Sequence, residues 1–195
     1  MLGLLNCPTC STPREITLGC QMLNQVIEEG RSWPFEEQMT EDEFKSYFMS
    51  HHAYVLTEKR PVEEGEDEVL GVFYIKPNFP GRCSHVCNGG FITHPQHRRR
   101  GVGFVMGWAF LLLARDVGFR ASYFNLVFTS NESSVRLWRR LGFCELALVP
   151  NVARLKGIEG YTDAIQFFRD LTCLDERVTV DALRTGGYHD FTTEA

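Results

Sequence analysis

At 195 residues and 44% hydrophobic content, the chain suits one α/β domain with a sizeable core, and it is too apolar for wholesale disorder. A net charge of −5 and a pI near 5.7 argue against a general nucleic-acid binder while leaving room for a local basic site. The apolar start Met1-Leu2-Gly3-Leu4-Leu5-Asn6 is too short for a signal peptide and lacks a basic flank, and the run Trp108 to Ala114 falls far short of a membrane span. The expectation is a soluble, cytoplasmic protein with no membrane partner.

The seven cysteines are odd in number and irregular in spacing, so reduced thiols are expected. Cys7-Pro8-Thr9-Cys10 is a CxxC without a second one to complete a zinc site, and Cys83, His85 and Cys87 would have to reach the N-terminus to do so. Incidental thiols are the better reading, and no metal is expected.

Residues 1–14 hold Gly3, Pro8 and Pro13 and predict an irregular leader. Ile16, Cys20, Leu23 and Ile27 recur at helical steps, predicting a helix from Glu15 to the natural stop Gly30. Trp33-Pro34-Phe35 predicts a loop. Thr40-Glu41-Asp42-Glu43 is a capping box for a helix to about Ser50, with Phe44, Tyr47 and Phe48 on its apolar face. Ala53–Thr57 predicts a strand, the charged stretch from Glu58 to Glu68 a loop, and Val69–Lys76 a second strand. A third strand is predicted over Ser84–Thr93, with Asn88-Gly89-Gly90 marking a bulge or a close backbone approach. Helices over Arg100–Val117 and Glu132–Leu141 alternate with strands over Ser122–Phe128, Phe143–Val149 and Ala164–Phe168. This order predicts an α/β layer domain with a mixed sheet over residues 15–171, followed by a C-terminal extension over 172–195.

The most informative stretch is Thr93-His94-Pro95-Gln96-His97-Arg98-Arg99-Arg100-Gly101-Val102-Gly103, where a strand ends, the chain turns and a long helix begins. The first amides of a helix lack intrahelical partners and point outward together, with about half a positive charge from the macrodipole. A diphosphate fits there, and Gly101 and Gly103 would let it approach the amides. No Asp or Glu occurs from Val69 to Arg115, although the chain as a whole is acidic. The bland alternative is a solvated basic run beside a helix start. The spacing matches neither the dinucleotide-binding glycine pattern nor a P-loop.

At this turn the chain resembles the GNAT superfamily of acetyltransferases, through Pro95, Arg98, Gly101 and Gly103. A second motif follows at the family's distance: Asn131, Ser134, Leu137, Trp138, Leu141, Gly142 and Phe143. The stretches around Leu70–Asn78, Arg82–Asn88, Phe124–Asn131, Leu148–Pro150 and Asp163–Ile165 are most similar to the fungal azetidine-2-carboxylate (proline-analogue) N-acetyltransferases.

The resemblance implies a mixed, mostly antiparallel sheet flanked by helices, acetyl-CoA as co-substrate, and a homodimer. It assigns Phe91, Ile92 and Thr93 to the pantetheine arm, and the backbone from Arg98, Arg99 and Arg100 through Gly101, Val102 and Gly103 to the pyrophosphate. Asn131 falls near the acyl end of the cofactor, and Ser134 and Trp138 are also assigned to cofactor binding, with packing against the arm or the core as the alternative for Trp138. Asn88, Asn125 and Asn131 fall around substrate and acyl group. Many relatives carry a tyrosine where Trp138 stands, and indole cannot serve as an acid. Many also carry a glutamate on the strand before the turn, which is absent here.

Read from the residues alone, Asn88 could simply shape a bulge and Asn131 could be only a helix cap. Asn125 is harder to dismiss, because an amide inside an apolar strand needs a partner. His85 is the best titratable candidate for a general base, with a structural role as the alternative. Arg82 and Asn125 could read a carboxylate, which supports a small amino or imino acid as acceptor. The alternatives are a protein or peptide N-acetyltransferase, a non-catalytic acetyl-CoA sensor and, last, nucleic-acid binding through Arg98–Arg100.

Overall fold

The computed structural model describes residues 2–7, 12–61 and 65–174. Seven strands form one sheet in the order β1-β2-β3-β4-β5-β7-β6. They are β1 (Leu2–Cys7), β2 (His52–Glu58), β3 (Glu68–Pro77), β4 (Val86–Thr93), β5 (Ala121–Phe128), β6 (Cys144–Ala153) and β7 (Thr162–Asp170). Neighbours run antiparallel except β4 and β5, which are parallel.

Helices α1 (Pro13–Glu29) and α2 (Glu41–Phe48) cover one face. Both begin with capping boxes, Thr12 with Glu15 and Thr40 with Glu43. α1 ends at Gly30, whose φ of 65° suits a residue without a Cβ. Their buried stripe, including Leu23, Ile27, Phe44 and Phe48, packs on Val55, Val72, Tyr74 and Ile92. Helices α3 (Val102–Asp116) and α4 (Glu132–Arg140) cover the opposite face, where Met106, Phe110 and Trp138 meet Phe73, Ile75 and Phe124.

The expected irregular leader is corrected here. Leu2–Cys7 is a strand pairing with β2 from Leu2↔Glu58 to Cys7↔Ala53. It contains no β-branched residue and is paired on one side only, so little in its own sequence marks it as a strand. Cys10 of the CxxC and residues 175–195 of the expected C-terminal extension lie outside the described residues.

The sheet positions the site in two ways. β4 and β5 pair only at Val86↔Ala121 and Cys87↔Ser122, so their remaining lengths diverge. The β3–β4 register is unbroken through Asn88, Gly89 and Gly90, which rules out a bulge there. Close approach explains these glycines instead. A Cβ on Gly89 would lie 2.5 Å from the Phe110 ring, and one on Gly90 would lie 2.5 Å from Tyr74 and 2.6 Å from Trp33. β6 runs four residues beyond its expected end at Val149, because Pro150 sits on the sheet's outermost strand, where a missing N–H is tolerated.

Candidate active site

The turn after β4 is built to present amides. A short 3-10 turn, Pro95–His97, precedes Arg99 (φ 63°) and Gly101 (φ 78°), both left-handed, and α3 starts at Val102. Left-handed residues in such a turn gather successive N–H groups on one side, forming a concavity for an anion. Phe104 and Val105 N–H donate to the Gly101 carbonyl at 3.0 and 3.2 Å. The amides of Arg99 through Gly103 have no backbone acceptor among the described residues. No acidic residue occupies the first turn of α3 to compete.

The glycines of this turn serve different ends. Gly101 is required by its φ, since a Cβ there would meet nothing within 4 Å. Gly103 has a normal backbone, and its Cβ would make only an ordinary 3.6 Å contact with Leu137. The fold would therefore admit a small side chain at 103; what glycine preserves is space in the cleft that residue lines.

Two of the three arginines are engaged by the protein itself. Arg98 pairs with Glu29 of α1 at 2.9 Å. Arg100 donates to His97 Nδ1 at 2.7 Å, which leaves Nε2 as the nitrogen carrying hydrogen. That Nε2 is buried and lies 2.8 Å from the Glu68 carboxylate, though poorly aligned for a hydrogen bond. Arg60 also bonds Glu68 and is the main reason its carboxyl sits below the usual range, with His97 adding to the effect. A chain Arg60–Glu68–His97–Arg100 thus supports the turn from β3.

Two clefts meet where β4 and β5 part. The larger, about 650 Å³, is lined by Phe91, Ile92, Thr93, the turn residues Arg98, Arg99, Gly101, Val102 and Gly103, and the start of α4, while Arg100 is not on its wall. The smaller, about 300 Å³, is lined by Trp33, Tyr47, Tyr74, Asn88, Asn125 and aromatic walls. They share Ser32, Phe91, Asn131, Ser134 and Trp138. Trp138 is buried, with ring centroids 4.8 Å from Phe91 and 4.6 Å from Phe124, and so fills the wedge between the strands. The larger cleft offers the groups that a nucleotide-linked thioester needs: unpaired amides for a diphosphate and the open edge of β4 for an extended arm.

The asparagines are held in distinct ways. Asn125 exchanges hydrogen bonds with Asn78, donating at 2.6 Å and accepting at 3.2 Å. The β5–β7 register shifts between Phe124 and Val127, and this irregularity lets a polar residue face the cavity from an apolar strand. Asn88 Oδ1 accepts from the Gly89 N–H at 2.8 Å. Asn131 caps α4, accepting from the Ser134 N–H at 3.2 Å and the Ser133 hydroxyl at 2.9 Å.

Arg82 and His85 are not brought to this site. Both are exposed in the segment before β4 and line neither cleft. His85 precedes the one stretch where β4 and β5 pair closely, and its carbonyl accepts from the Arg120 N–H at 2.9 Å. The titratable side chains that do line the small cavity are Tyr47 and Tyr74, with hydroxyls 3.1 Å apart. Burial pushes both phenols up, Tyr74 more strongly. Sequence reasoning missed this pair, together with Trp33 and Asn78. Tyr47 looked like one member of an apolar helix face, and Trp33 like part of a loop.

Comparison with known proteins agrees with this geometry. Residues 20–143 match the family described as Acetyltransferase (GNAT) family. The chain is 41% identical over 156 residues to N-acetyltransferase aca1 of Schizosaccharomyces pombe, covering 73% of each chain. Among solved structures it resembles a GCN5-related N-acetyltransferase from Kribbella flavida, with a TM-score of 0.76 and 24% identity over 87% of this chain and 97% of that one. It also resembles yncA from Salmonella typhimurium, solved with acetyl-CoA, with a TM-score of 0.73 and 17% identity over 93% of this chain and 98% of that one.

Proposed function

We propose that this chain, which belongs to the acetyltransferase (GNAT) family and is an acetyl-CoA-dependent N-acetyltransferase, acts on the amine of a small amino or imino acid. The observation carrying the substrate class is the roughly 300 Å³ cavity, walled by aromatic rings and asparagine amides, with no carboxylate on its lining. A polyamine would require acidic groups there, and a peptide a longer groove.

In this account the amides of Arg99 to Gly103 receive the pyrophosphate, and the open edge of Phe91, Ile92 and Thr93 receives the arm. Asn131, Ser134 and Trp138 lie at the junction of the clefts, where the thioester and the acceptor amine meet. The neutral amine attacks the thioester carbonyl; the new C–N bond replaces the C–S bond, and coenzyme A leaves as its thiol or thiolate. Positioning carries much of the rate, worth up to about 7–11 kcal/mol in ideal cases. No carboxylate or imidazole lines the acceptor cavity, and its phenols remain protonated at neutral pH. In this reading the amine's proton passes to solvent, from which the departing thiolate takes one up.

The test is thiol release from acetyl-CoA against a panel of amines. Turnover of small amino or imino acids, with none on polyamines or peptides, is the expected result; a preference for a basic peptide would overturn it. The same proposal includes a homodimer, supported by the outer strand β6, where Leu146 and Leu148 are 55% and 56% exposed.

A further inference from the structure

The turn that follows β4 holds a residue in a conformation it would not choose. Arg99 and Asn151 are the two residues other than glycine at positive φ among the described residues. Asparagine tolerates the left-handed region, and the Asn151 N–H is fixed there by the Asp163 carboxylate at 2.8 Å. Arginine has no such aptitude. Its Cβ crowds the following carbonyl, so Arg99 stays at φ 63° only where its neighbours impose it.

The two neighbours are tied with unequal strength. Arg98 pairs with Glu29 of α1, but both side chains are partly exposed, and such a pair holds geometry weakly. The Arg100 guanidinium donates to Nδ1 of His97, whose side chain is only 6% exposed. That imidazole cannot follow a moving arginine. The His97 N–H donates to the His94 carbonyl at 2.8 Å, and Nε2 lies 2.8 Å from the Glu68 carboxylate at the start of β3. Arg60 binds Glu68 in turn. The Arg100 side chain is thereby fastened to the sheet. Arg100 does not line the larger cleft, whereas Arg99 and Gly101 on either side of it do.

We infer that His97 is a positioning residue for acetyl-CoA: its Nδ1 clamps Arg100, and the clamp keeps Arg99 left-handed and the amides from Arg99 to Gly103 aimed at the diphosphate. The inference rests on the proposed placement of the pyrophosphate on this turn. It assigns Arg100 a role through His97 rather than as a free charge beside the phosphates. A side chain of similar bulk without an acceptor fills the same space and leaves the clamp open. An amide oxygen in the place of Nδ1 closes it again.

The experiment is isothermal titration with coenzyme A, beside steady-state kinetics for acetyl-CoA, on variants that melting shows to be folded. His97→Phe weakens coenzyme A about 10-fold, as expected for losing one hydrogen bond to a charged group, and raises KM for acetyl-CoA while kcat at saturation changes by less than about threefold. His97→Asn, which keeps an acceptor for Arg100, stays within about threefold of the wild type. Arg100→Met matches His97→Phe, and adding it to His97→Phe costs nothing more, because both open one clamp. Should His97→Phe not fold, Arg100→Met decides: its loss persists in high salt, where a long-range effect of the missing charge is screened. Gly103→Leu serves as the control for the turn itself. If it weakens coenzyme A while His97→Phe and Arg100→Met do not, the clamp is overturned and the phosphate turn survives. Losses that add in the double variant, or that vanish in high salt, overturn the clamp as well. If Gly103→Leu also leaves affinity unchanged, the placement of the pyrophosphate falls and the clamp with it.

Discussion

Asn78 and Asn125 are locked together amide to amide, at 2.6 and 3.2 Å, tying the chain just after β3 to the irregular part of β5. The pair bridges the strand on the far side of β4 to the strand that parts from it, beside the smaller cavity proposed to take the acceptor. Asn125→Ala should lower kcat/KM by roughly 10–100-fold, below the loss of a full oxyanion donor, because alignment is lost rather than a whole charge-stabilising group. Coenzyme A affinity should stay within about threefold, since Asn125 does not line the larger cleft. Asn78→Ala should reproduce much of this loss without itself lining the cavity. Steady-state kinetics with a separate coenzyme A titration checks both variants.

The two glycines of the phosphate turn should fail differently. Gly103→Leu should leave the melting temperature nearly unchanged yet weaken coenzyme A binding by about 10-fold or more, because its side chain enters the cleft. Gly101→Ala forces a Cβ into left-handed geometry at φ 78°, costing about 1–2 kcal/mol. For a chain of this length that is a fall of about 2–8 °C in Tm. Calorimetric melting beside isothermal titration separates the two effects.

His85→Gln should leave the pH–rate profile of kcat/KM where it is in the wild type. His85 is exposed and lines neither cleft, so removing its imidazole takes nothing from the reacting groups. A displaced or flattened limb in the profile would restore it as the base.

Buried acids set the alkaline limit of the fold. Burial pushes the Cys87 thiol up to about 12, and burial together with Asp116 pushes the Tyr54 phenol up to about 12. A folded pKa above the unfolded one gives stability that is complete below the unfolded value and is lost as pH rises through the folded one. Stability should therefore decline from about pH 9 to 12, with Cys87 acting from 9 and Tyr54 from 10. Lys76, lowered by burial, opposes this trend because its desolvation cost eases as it loses its proton. Urea melts across that range test the direction. At pH 8, iodoacetamide should label the exposed Cys83, Cys144 and Cys173 in the native protein and spare Cys87, as peptide mass spectrometry would read.

What could be read from sequence follows the range of the interactions involved. The turn from Arg98 to Gly103 was legible because strand end, turn and helix start are neighbours in sequence, and its amides are positioned by local geometry. Asn125 was legible because an amide in an apolar strand demands a partner, although nothing marked Asn78 as that partner. Trp33 and Tyr47 were not legible: they reach the cavity from the segment after α1 and from α2, more than 70 residues before Asn125. His85 misled through proximity. It lies three residues from Asn88, but a strand advances about 3.3 Å per residue, which carries it beyond the cavity. β1 was hidden because its pairing depends on the free edge of β2.

The acceptor proposed beside the acetyl-CoA cleft is a small anionic amino or imino acid. The most direct measurement is thiol release, followed with a chromogenic disulfide, for azetidine-2-carboxylate, spermidine and a lysine-containing peptide at equal concentration. Saturable turnover of the first with background rates for the other two is the predicted result. Turnover of spermidine or the peptide, with none for the acid, would contradict the account.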